Sequence, residues 1–486
     1  MNATEQALES LHETATTIFR EALDGCSIET AFDRRIRFEG DKLVRLLPEG
    51  SGPATVNLKD YRRIFVIAMG KAAIPMIEVL MARMKRRLGL RGICCSNTIP
   101  DKRNWRIRYF EGGHPLPNEG SFAAARAALA LLRRAHKDTL VIFLISGGSS
   151  ALFDLPLDPD ISLEDTMVFH QALIASGAPI TEVNTIRKHF SAVKAGRLAI
   201  AAPESAKLSI LLPDVPLRSL DTLASGPTSP DHSTVEQVRE ILNKFDLLAK
   251  FPPTVEAFFE REDLPESPGV KGRLAPYLPR MPWTDTQAIA YRKAFSSALQ
   301  FEEKAFHDSM FEVLLSSHDL VENARARALE LGYHTVVDNS CDDWDYDEAA
   351  RHLLKHFHSL RKDYPRCCLI SGGEVTVTMD RTPGAGGRNQ QFALACALSL
   401  ASHPNEALIA FSAGSDGIDG NTRSAGAIAD TTTVRRAVAF GYDPKEALAG
   451  FNACPLFTAL GDTVVTGPTG HNLRDLRLLI AEPILE

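Results

Sequence analysis

The chain reads as an α/β protein in two parts, and three features of the sequence predict this. Apolar runs of strand length alternate with helical stretches through the first two-thirds, as expected for a mostly parallel sheet covered on both faces. The word Leu-Ile-Ser-Gly-Gly closes an apolar run twice, at Leu144–Gly148 and at Leu369–Gly373. Between the two copies, Phe251–Pro282 is rich in proline and lacks a clear period, which suggests an irregular excursion or a domain connection. The 486 residues suffice for several domains with cores of their own. The main boundary is placed between about 245 and 310, giving an N-terminal domain over roughly 1–300 and a smaller C-terminal domain over roughly 310–486.

Taken in order, Arg63–Met69 reads as a buried strand and Lys71–Leu88 as the helix after it. Gly92–Ser96 is a short strand, Asn118–His136 an alanine-rich helix with Asn118 as its N-cap, and Thr139–Ile145 a strongly apolar strand. Ser162–Ser176 and Glu182–Lys194 read as helices, and Lys207–Leu212 as a strand. Phe311–Ser316, Asp319–Leu331 and His334–Val337 read as one strand–helix–strand unit. Arg351–Leu360 follows as a helix, then the strand Cys367–Ser371 and an alternating strand Glu374–Met379. A glycine-rich loop opens a helix running from Arg388 to Leu400, and Ala407–Phe411 is a further strand.

Composition narrows the function. Fifty-four Lys and Arg against 61 Asp and Glu leave a net charge of −7, which argues against nucleic acid or an anionic membrane as the partner. The brief basic run at Lys85–Arg87 reads as a solvated helix face. The N-terminal stretch is acidic, with apolar residues at helical spacing, and lacks the basic and apolar regions of a secretion signal. No apolar run reaches membrane-spanning length, so a cytoplasmic protein is expected. The eight cysteines include the pairs Cys94-Cys95 and Cys367-Cys368 inside apolar runs, without metal-binding spacing, and read as reduced strand residues.

The candidate chemistry gathers where strands end. A strand closing in Ser-Gly-Gly is expected to present bare backbone N–H groups at a sheet edge, where glycine lets an anion approach. Gly70-Lys71-Ala72-Ala73 follows a strand, so small residues and a cationic side chain face the same edge. Phe65 stands where a Walker A motif needs Gly, and no dinucleotide fingerprint follows. An ordinary strand–helix turn with a solvated lysine is the alternative. Asp416 and Asp419 lie on a glycine-rich loop where carboxylates share a hard cation or merely shape a turn. Arg388 opens a helix, a position its charge disfavours, which hints that its fork faces a carboxylate or phosphate; a surface arginine near a flexible loop is the alternative. Asn184, Lys188 and Ser191 share a face away from an apolar stripe, and by residue type alone that face reads as solvated. His114, in Gly113-His114-Pro115, reads as part of a structural turn.

Read together, the words VIAMGKAA, GGHPLPNEGS, LISGGSSAL, VNTIRKHFSAVKAGRLA, LDTLASGPTSPD, SGGEVTVT, GGRNQQFALA, GSDGIDGNT and LGDTVVTGPTGHNLRDL resemble the type-2 glycerate kinase family, and they run in the family's order from about residue 60 to residue 477. The resemblance implies a Rossmann-like N-terminal domain, a smaller C-terminal α/β domain of the MOFRL type, and an active site in the cleft between them. It implies phosphorylation of D-glycerate, normally at the 2-hydroxyl, with ATP and a divalent cation such as Mg²⁺. Lys71 takes the place of the family's catalytic lysine, and Arg388 that of its substrate-binding arginine. Substrate and phosphate contacts are expected at Gly70, Ser146, Gly147, Gly148, Ser149, Asn184, Lys188, Asp214, Glu374 and Asn389, with Asp214 and Asp416 as metal ligands. The partners implied are the small acid and ATP, with neither nucleic acid nor membrane, and a homodimer is left open.

The chain departs from the family's pattern at Leu217, Arg218, Gln391 and Arg423, and Ala195 replaces a usual glycine. Three of these changes remove a negative charge, so a more anionic or differently shaped hydroxy acid, or altered metal binding, is expected if those positions line the site. Two alternatives stand beside the kinase: a nicotinamide-dependent hydroxypyruvate reductase, which lacks a G-x-G-x-x-G here, and a ligand-binding homologue that has lost turnover.

Overall fold

The structure, a computed structural model, describes residues 3–46, 54–84, 89–268, 304–306, 309–378, 382–470 and 472–484. The chain divides into a central unit, Ile28–Leu314, and a terminal unit formed by Met1–Ser27 with Leu315–Glu486.

Helix α1 (Ala3–Asp24) opens the chain, and α2 (Ile28–Arg35) leads into an antiparallel ribbon of β1 (Ile36–Glu39), β2 (Lys42–Arg45) and β3 (Ala54–Asn57). The central unit continues through β4 (Arg63–Met69), α3 (Ala73–Arg83), β5 (Leu90–Ser96), β6 (Ile107–Glu111), α4 (Glu119–Leu132), β7 (Thr139–Ser146) and the short α5 (Ser149–Leu152). Then come α6 (Leu163–Ile174), α7 (Ile180–Phe190), α8 (Arg197–Ile200), β8 (Ala206–Leu212), α9 (Val235–Lys244), α10 (Pro253–Glu260) and β9 (Ser309–Val313). Strands β4 to β9 form one sheet in the order β6-β5-β4-β7-β8-β9, with every neighbour parallel. This is the doubly wound order of a Rossmann-like domain. Phe65, Ile67, Val141, Phe143 and Ile145 pack one face of it against alanines 124, 125 and 128 of α4, whose small side chains let the helix lie close. Asn118 starts α4 as expected, through a capping box with Ser121.

Part of the proline-rich stretch is helical. Pro253 stands at the first turn of α10, where its missing N–H costs nothing, and Val255, Phe258 and Phe259 enter an aromatic cluster with Phe169, Phe190 and Phe251. The Phe169 and Phe190 rings stack at 4.1 Å. The rest of that stretch, 269–282, lies outside the described residues.

The terminal unit holds α11 (Ser317–Glu330), β10 (His334–Val337), α12 (Tyr346–Asp363), β11 (Cys367–Gly372), α13 (Arg388–Leu400) and β12 (Ala407–Gly414). It ends with β13 (Gly426–Asp430), α14 (Thr433–Ala439), α15 (Pro444–Ala449), α16 (Ala453–Leu460), β14 (Thr463–Val464) and β15 (Asp475–Glu482). Its sheet order is β10-β11-β15-β12-β13-β14, and only the β10–β11 pair is parallel.

Three expectations change. The strand–helix–strand reading of Phe311–Val337 fails because β9 completes the central sheet while β10 belongs to the terminal one. Residues 374–378 form no strand; only Thr376 bridges to Asp345. The first 27 residues pack with the terminal unit, not with the N-terminal half. Helix α1 buries Leu8, Leu11, Ala15, Ile18, Phe19 and Ala22 along one stripe, with Phe19 set 5.1 Å from Phe411 of β12. His12 adds a 2.9 Å contact to Asp430.

All eight cysteines are free thiols. Burial pushes the Cys95 thiol up to about 12 and Cys367 to about 11, which suppresses the reactive thiolate. Among the described residues no helix is long and apolar enough to cross a membrane.

Candidate active site

In the central sheet the winding reverses between β4 and β7. Open α/β sheets bind ligands outside the carboxyl ends of their strands at such a point. Gly70-Lys71 follows β4 there, and Gly147-Gly148-Ser149 follows β7.

The N–H groups of the two turns have different fates. Gly70 donates to the Cys95 carbonyl at 3.1 Å, Lys71 to the Gly147 carbonyl at 2.9 Å, and Ala72 to Ser146 Oγ at 3.1 Å. The Gly70 backbone therefore has no N–H to offer the expected anion, because the turn spends its donors on β5 and on the neighbouring loop. The N–H groups of Gly147, Gly148 and Ser149 have no partner among the described residues. These three form the cradle. The Ser146 and Ser149 hydroxyls do not contribute to it: Ser146 donates to the Met69 carbonyl at 3.2 Å, and Ser149 to the Ser146 carbonyl at 2.6 Å.

Side chains converge on the same loop. Gly148 sits at φ +81°, and a β-carbon there would lie 3.2 Å from Lys71 Cγ and 3.3 Å from His114 Cδ2. A β-carbon at Gly147 would collide with the Asp214 carboxylate. Lys71, His114 and Asp214 thus surround the cradle, with Lys71 exposed and free of ion pairs among the described residues. A few residues further along the chain, fully buried Asp154 accepts from Ser191 Oγ at 2.6 Å, lies 2.8 Å from His170 Nε2 and pairs with Lys194. Burial alone would raise the Asp154 pKa, but Lys194 and His170 hold it far below the usual carboxylate range. This network ties the chain just after the cradle to the end of α7, and no local pattern in the sequence marked Asp154.

The Asn184–Lys188 face of α7 is buried, not solvated. Lys188 Nζ pairs with Asp231 at 2.9 Å, so its charge is neutralised inside the protein. Asn184 Oδ1 accepts from Ser225 Oγ at 3.4 Å, and Ser225 lies 3.2 Å from Ser150 Oγ. These residues support the loop from below.

The second Ser-Gly-Gly also ends a strand, but it is no anion cradle. Gly372 donates to Asn339 Oδ1 at 2.7 Å, Gly373 to the Asp475 carbonyl at 3.2 Å, and Glu374 to Asp342 Oδ1 at 3.1 Å. The expectation of bare N–H groups fails here because β15 and the Asn339–Asp342 loop supply acceptors.

What gathers at this edge is an ion-pair cluster. Strand β15 runs antiparallel between β11 and β12, so its first residue, Asp475, lies between their carboxyl ends. Arg388 grips Asp475 with Nε at 2.6 Å and Nη2 at 3.1 Å, and Nη2 also reaches Glu374 at 2.7 Å. Burial would lower the Arg388 pKa, but Asp475 and Glu374 raise it above its ordinary value. Nη1 has no partner among the described residues, which leaves a donor pair for a ligand. Asn389 is 1% exposed, with Oδ1 accepting from Ser412 Oγ at 2.6 Å and Nδ2 reaching Asp419 at 3.4 Å, so it is a scaffold residue and not a ligand contact. Asp416 Oδ1 accepts from the Ile418 N–H at 3.1 Å, as a turn residue does.

The sequence reading missed Asp475 and the role of Asp419. Asp419 caps α13 from a distant loop, accepting the N–H groups of Asn389 at 3.0 Å and Gln390 at 2.9 Å. Burial, aided by Asp475, raises its pKa from 3.8 to about 6 against the pull of those bonds and of Arg388. The folded protein therefore keeps this proton to higher pH than the unfolded chain. The carboxyl's contribution to stability is present in full below about pH 4 and is lost as pH rises through about 6. Denaturation midpoints from pH 4 to 7 are expected to fall more steeply for the wild type than for Asp419→Asn, and parallel curves would contradict this.

Of the family departures, Gln391 is buried and donates to the Leu448 carbonyl at 3.0 Å, so it lines no ligand site. Leu217 packs against the central core, Arg423 is exposed, and the side chain of Arg218 lies outside the described residues. Ala195 adopts φ +52°, a left-handed conformation in which glycine is the easier residue, while its buried methyl group offsets part of the strain.

A parallel doubly wound sheet with an unpaired N–H cradle, a lysine and a carboxylate at its switch point defines a class of α/β protein that handles small anionic ligands. Comparison narrows the class. Residues 14–260 match the family described as a domain of unknown function (DUF4147), and residues 367–475 match the MOFRL family. The chain is 32% identical over 425 residues to glycerate 2-kinase of Pyrococcus horikoshii, covering 86% of this chain and 87% of the other. It is 31% identical to D-glycerate 2-kinase of Thermotoga maritima, with 89% and 94% covered, and 31% identical to a putative hydroxypyruvate reductase of Agrobacterium vitis, with 86% and 87% covered. The crystal structure of Thermotoga maritima glycerate kinase superposes with a TM-score of 0.75 at 27% identity, covering 98% of this chain and 100% of the other. The chain belongs to the glycerate kinase family.

Proposed function

We propose that this protein transfers the γ-phosphoryl group of ATP to D-glycerate, at the 2-hydroxyl, giving 2-phosphoglycerate and ADP. The observation that carries the reading is the exposed Lys71 beside the unpaired N–H groups of Gly147–Ser149, in a chain 31–32% identical over most of its length to two glycerate 2-kinases. In such a transfer the hydroxyl oxygen bonds to the γ-phosphorus and gives up its proton to solvent, the bond to the bridging oxygen breaks, and ADP carries away the negative charge. The reaction asks the protein for positioned donors and positive charge more than for covalent chemistry. Lys71 supplies the charge, and the cradle N–H groups hold phosphate oxygens. The free Nη1 of Arg388 is suited to the glycerate carboxylate.

Magnesium is commonly held by one or two carboxylates together with nucleotide phosphates. Among the described residues no group of three or more His, Cys, Asp or Glu side chains is arranged to hold a metal. Asp214, set against Gly147, fits the smaller requirement of a single carboxylate beside the phosphates. When bound, the ion would neutralise phosphate charge.

The test is coupled detection of ADP with a panel of C3–C6 hydroxy acids, with and without Mg²⁺. D-glycerate is expected to be the best substrate and metal to be required. NADH oxidation with hydroxypyruvate, or ATP binding without turnover on any acid, would overturn the reading. The reductase is further disfavoured because the Gly70–Ala72 turn, where a dinucleotide's pyrophosphate would sit, has no spare N–H groups.

A further inference from the structure

His114 is held on a pinned loop. The Gly112 N–H donates to the Ser96 carbonyl at 2.8 Å and the Gly113 N–H to Ser121 Oγ at 3.0 Å, while Asn118 caps the helix that follows. The His114–Pro115 peptide is cis. A loop fixed at both ends carries an exposed imidazole that has no hydrogen-bond partner among the described residues. That imidazole is not aimed at open solvent alone. Its Cδ2 lies 3.3 Å from the position a β-carbon would take on Gly148, the glycine that Lys71 flanks from the same side. Any side chain at position 148 would enter the space between the lysine, the imidazole and the cradle.

We propose that His114 contacts the ligand of this cradle, donating a ring N–H to an oxygen of the phosphoryl group being transferred. The proposal rests on the kinase reading above. Partial burial of the ring, and then the charge of Lys71, lower the His114 pKa below 6.5, so the ring is neutral near pH 7. A neutral imidazole offers one N–H without repelling Lys71. The division of labour follows: Lys71 brings the charge, the Gly147–Ser149 backbone brings fixed dipoles, and His114 brings a directional donor beside Lys71.

His114→Ala, His114→Gln and Lys71→Met are compared with the wild type for kcat, for KM of ATP and for thermal midpoint. Proton NMR of the His114 ring, assigned by its loss in His114→Gln, is followed on addition of ATP. The expected result is a fall in kcat of about 10- to 100-fold for His114→Ala. His114→Gln, which keeps an N–H donor, should recover most of that loss, with thermal midpoints unchanged and the ring resonance moving with ATP. Full turnover in His114→Ala, or a glutamine variant as impaired as the alanine one, overturns the proposal even when Lys71→Met is inactive. If the wild type releases no ADP with any hydroxy acid, the kinase reading falls. The ring resonance then decides for His114: movement with ATP supports contact, and a fixed resonance refutes it.

Discussion

Lys71→Met is expected to lower glycerate-dependent ADP release by about 10²- to 10³-fold and to leave the stability of the protein unchanged. The size follows from removing one full positive charge from a site where charge moves in the transition state, an effect comparable to deleting an oxyanion donor. The unchanged stability follows from the side chain itself, which is exposed and makes no ion pair or hydrogen bond among the described residues. Methionine keeps the length and apolar stem of lysine, so its contacts along Gly148 persist. Lys71→Arg is expected to restore little, since a planar fork replaces the compact ammonium on a stem that lies along Gly148. Turnover within a few-fold of wild type would remove Lys71 from the mechanism.

Arg388→Ala is expected to have a different outcome, a loss of stability as well as of activity. Asp475 is 1% exposed and depends on the two-pronged contact from Arg388. Removing the arginine leaves a buried carboxylate without its partner, which costs about 2–4 kcal/mol. The figure is below that of a wholly buried pair because about a third of the Arg388 side chain meets solvent, as its 35% exposure shows. Inactivity of this variant therefore does not by itself identify a ligand contact. Arg388→Ala combined with Asp475→Asn separates the two effects, since removing the orphaned charge should return much of the stability without returning activity. Urea denaturation read beside ADP release checks both. A single variant as stable as the wild type would show that the pair is not structural, and recovery of activity in the double variant would show that Arg388 acts only through Asp475.

Much of the fold was legible because it is written in local pattern. Strands Arg63–Met69 and His334–Val337 and helix Arg388–Leu400 occupy the residues that periodicity and flanking glycines indicated. The turns after β4 and β7 were also legible, since Gly-Lys and Ser-Gly-Gly-Ser can hardly be anything but tight strand ends. Lys188 was misread as solvated because its partner, Asp231, lies 43 residues away. Asp475 went unnoticed for a related reason. Leu478–Ala481 is an apolar run, but nothing local says that it belongs to a strand running between β11 and β12 that delivers the Asp475 carboxylate to Arg388.

By itself, then, the amino-acid sequence determined the α/β class, most strand and helix positions, the family resemblance and the prominence of Lys71 and Arg388. These depend on short-range periodicity, on turn chemistry and on words that can be read in one dimension. Only the tertiary structure decided that the first helix packs with the C-terminal residues, and that one Ser-Gly-Gly keeps its N–H groups free while the other spends them. It also decided that Arg388 is held by Asp475 and Glu374. Each of those outcomes turns on which distant acceptor or carboxylate arrives within about 3 Å, and that is set by strand order and packing rather than by neighbours in the chain.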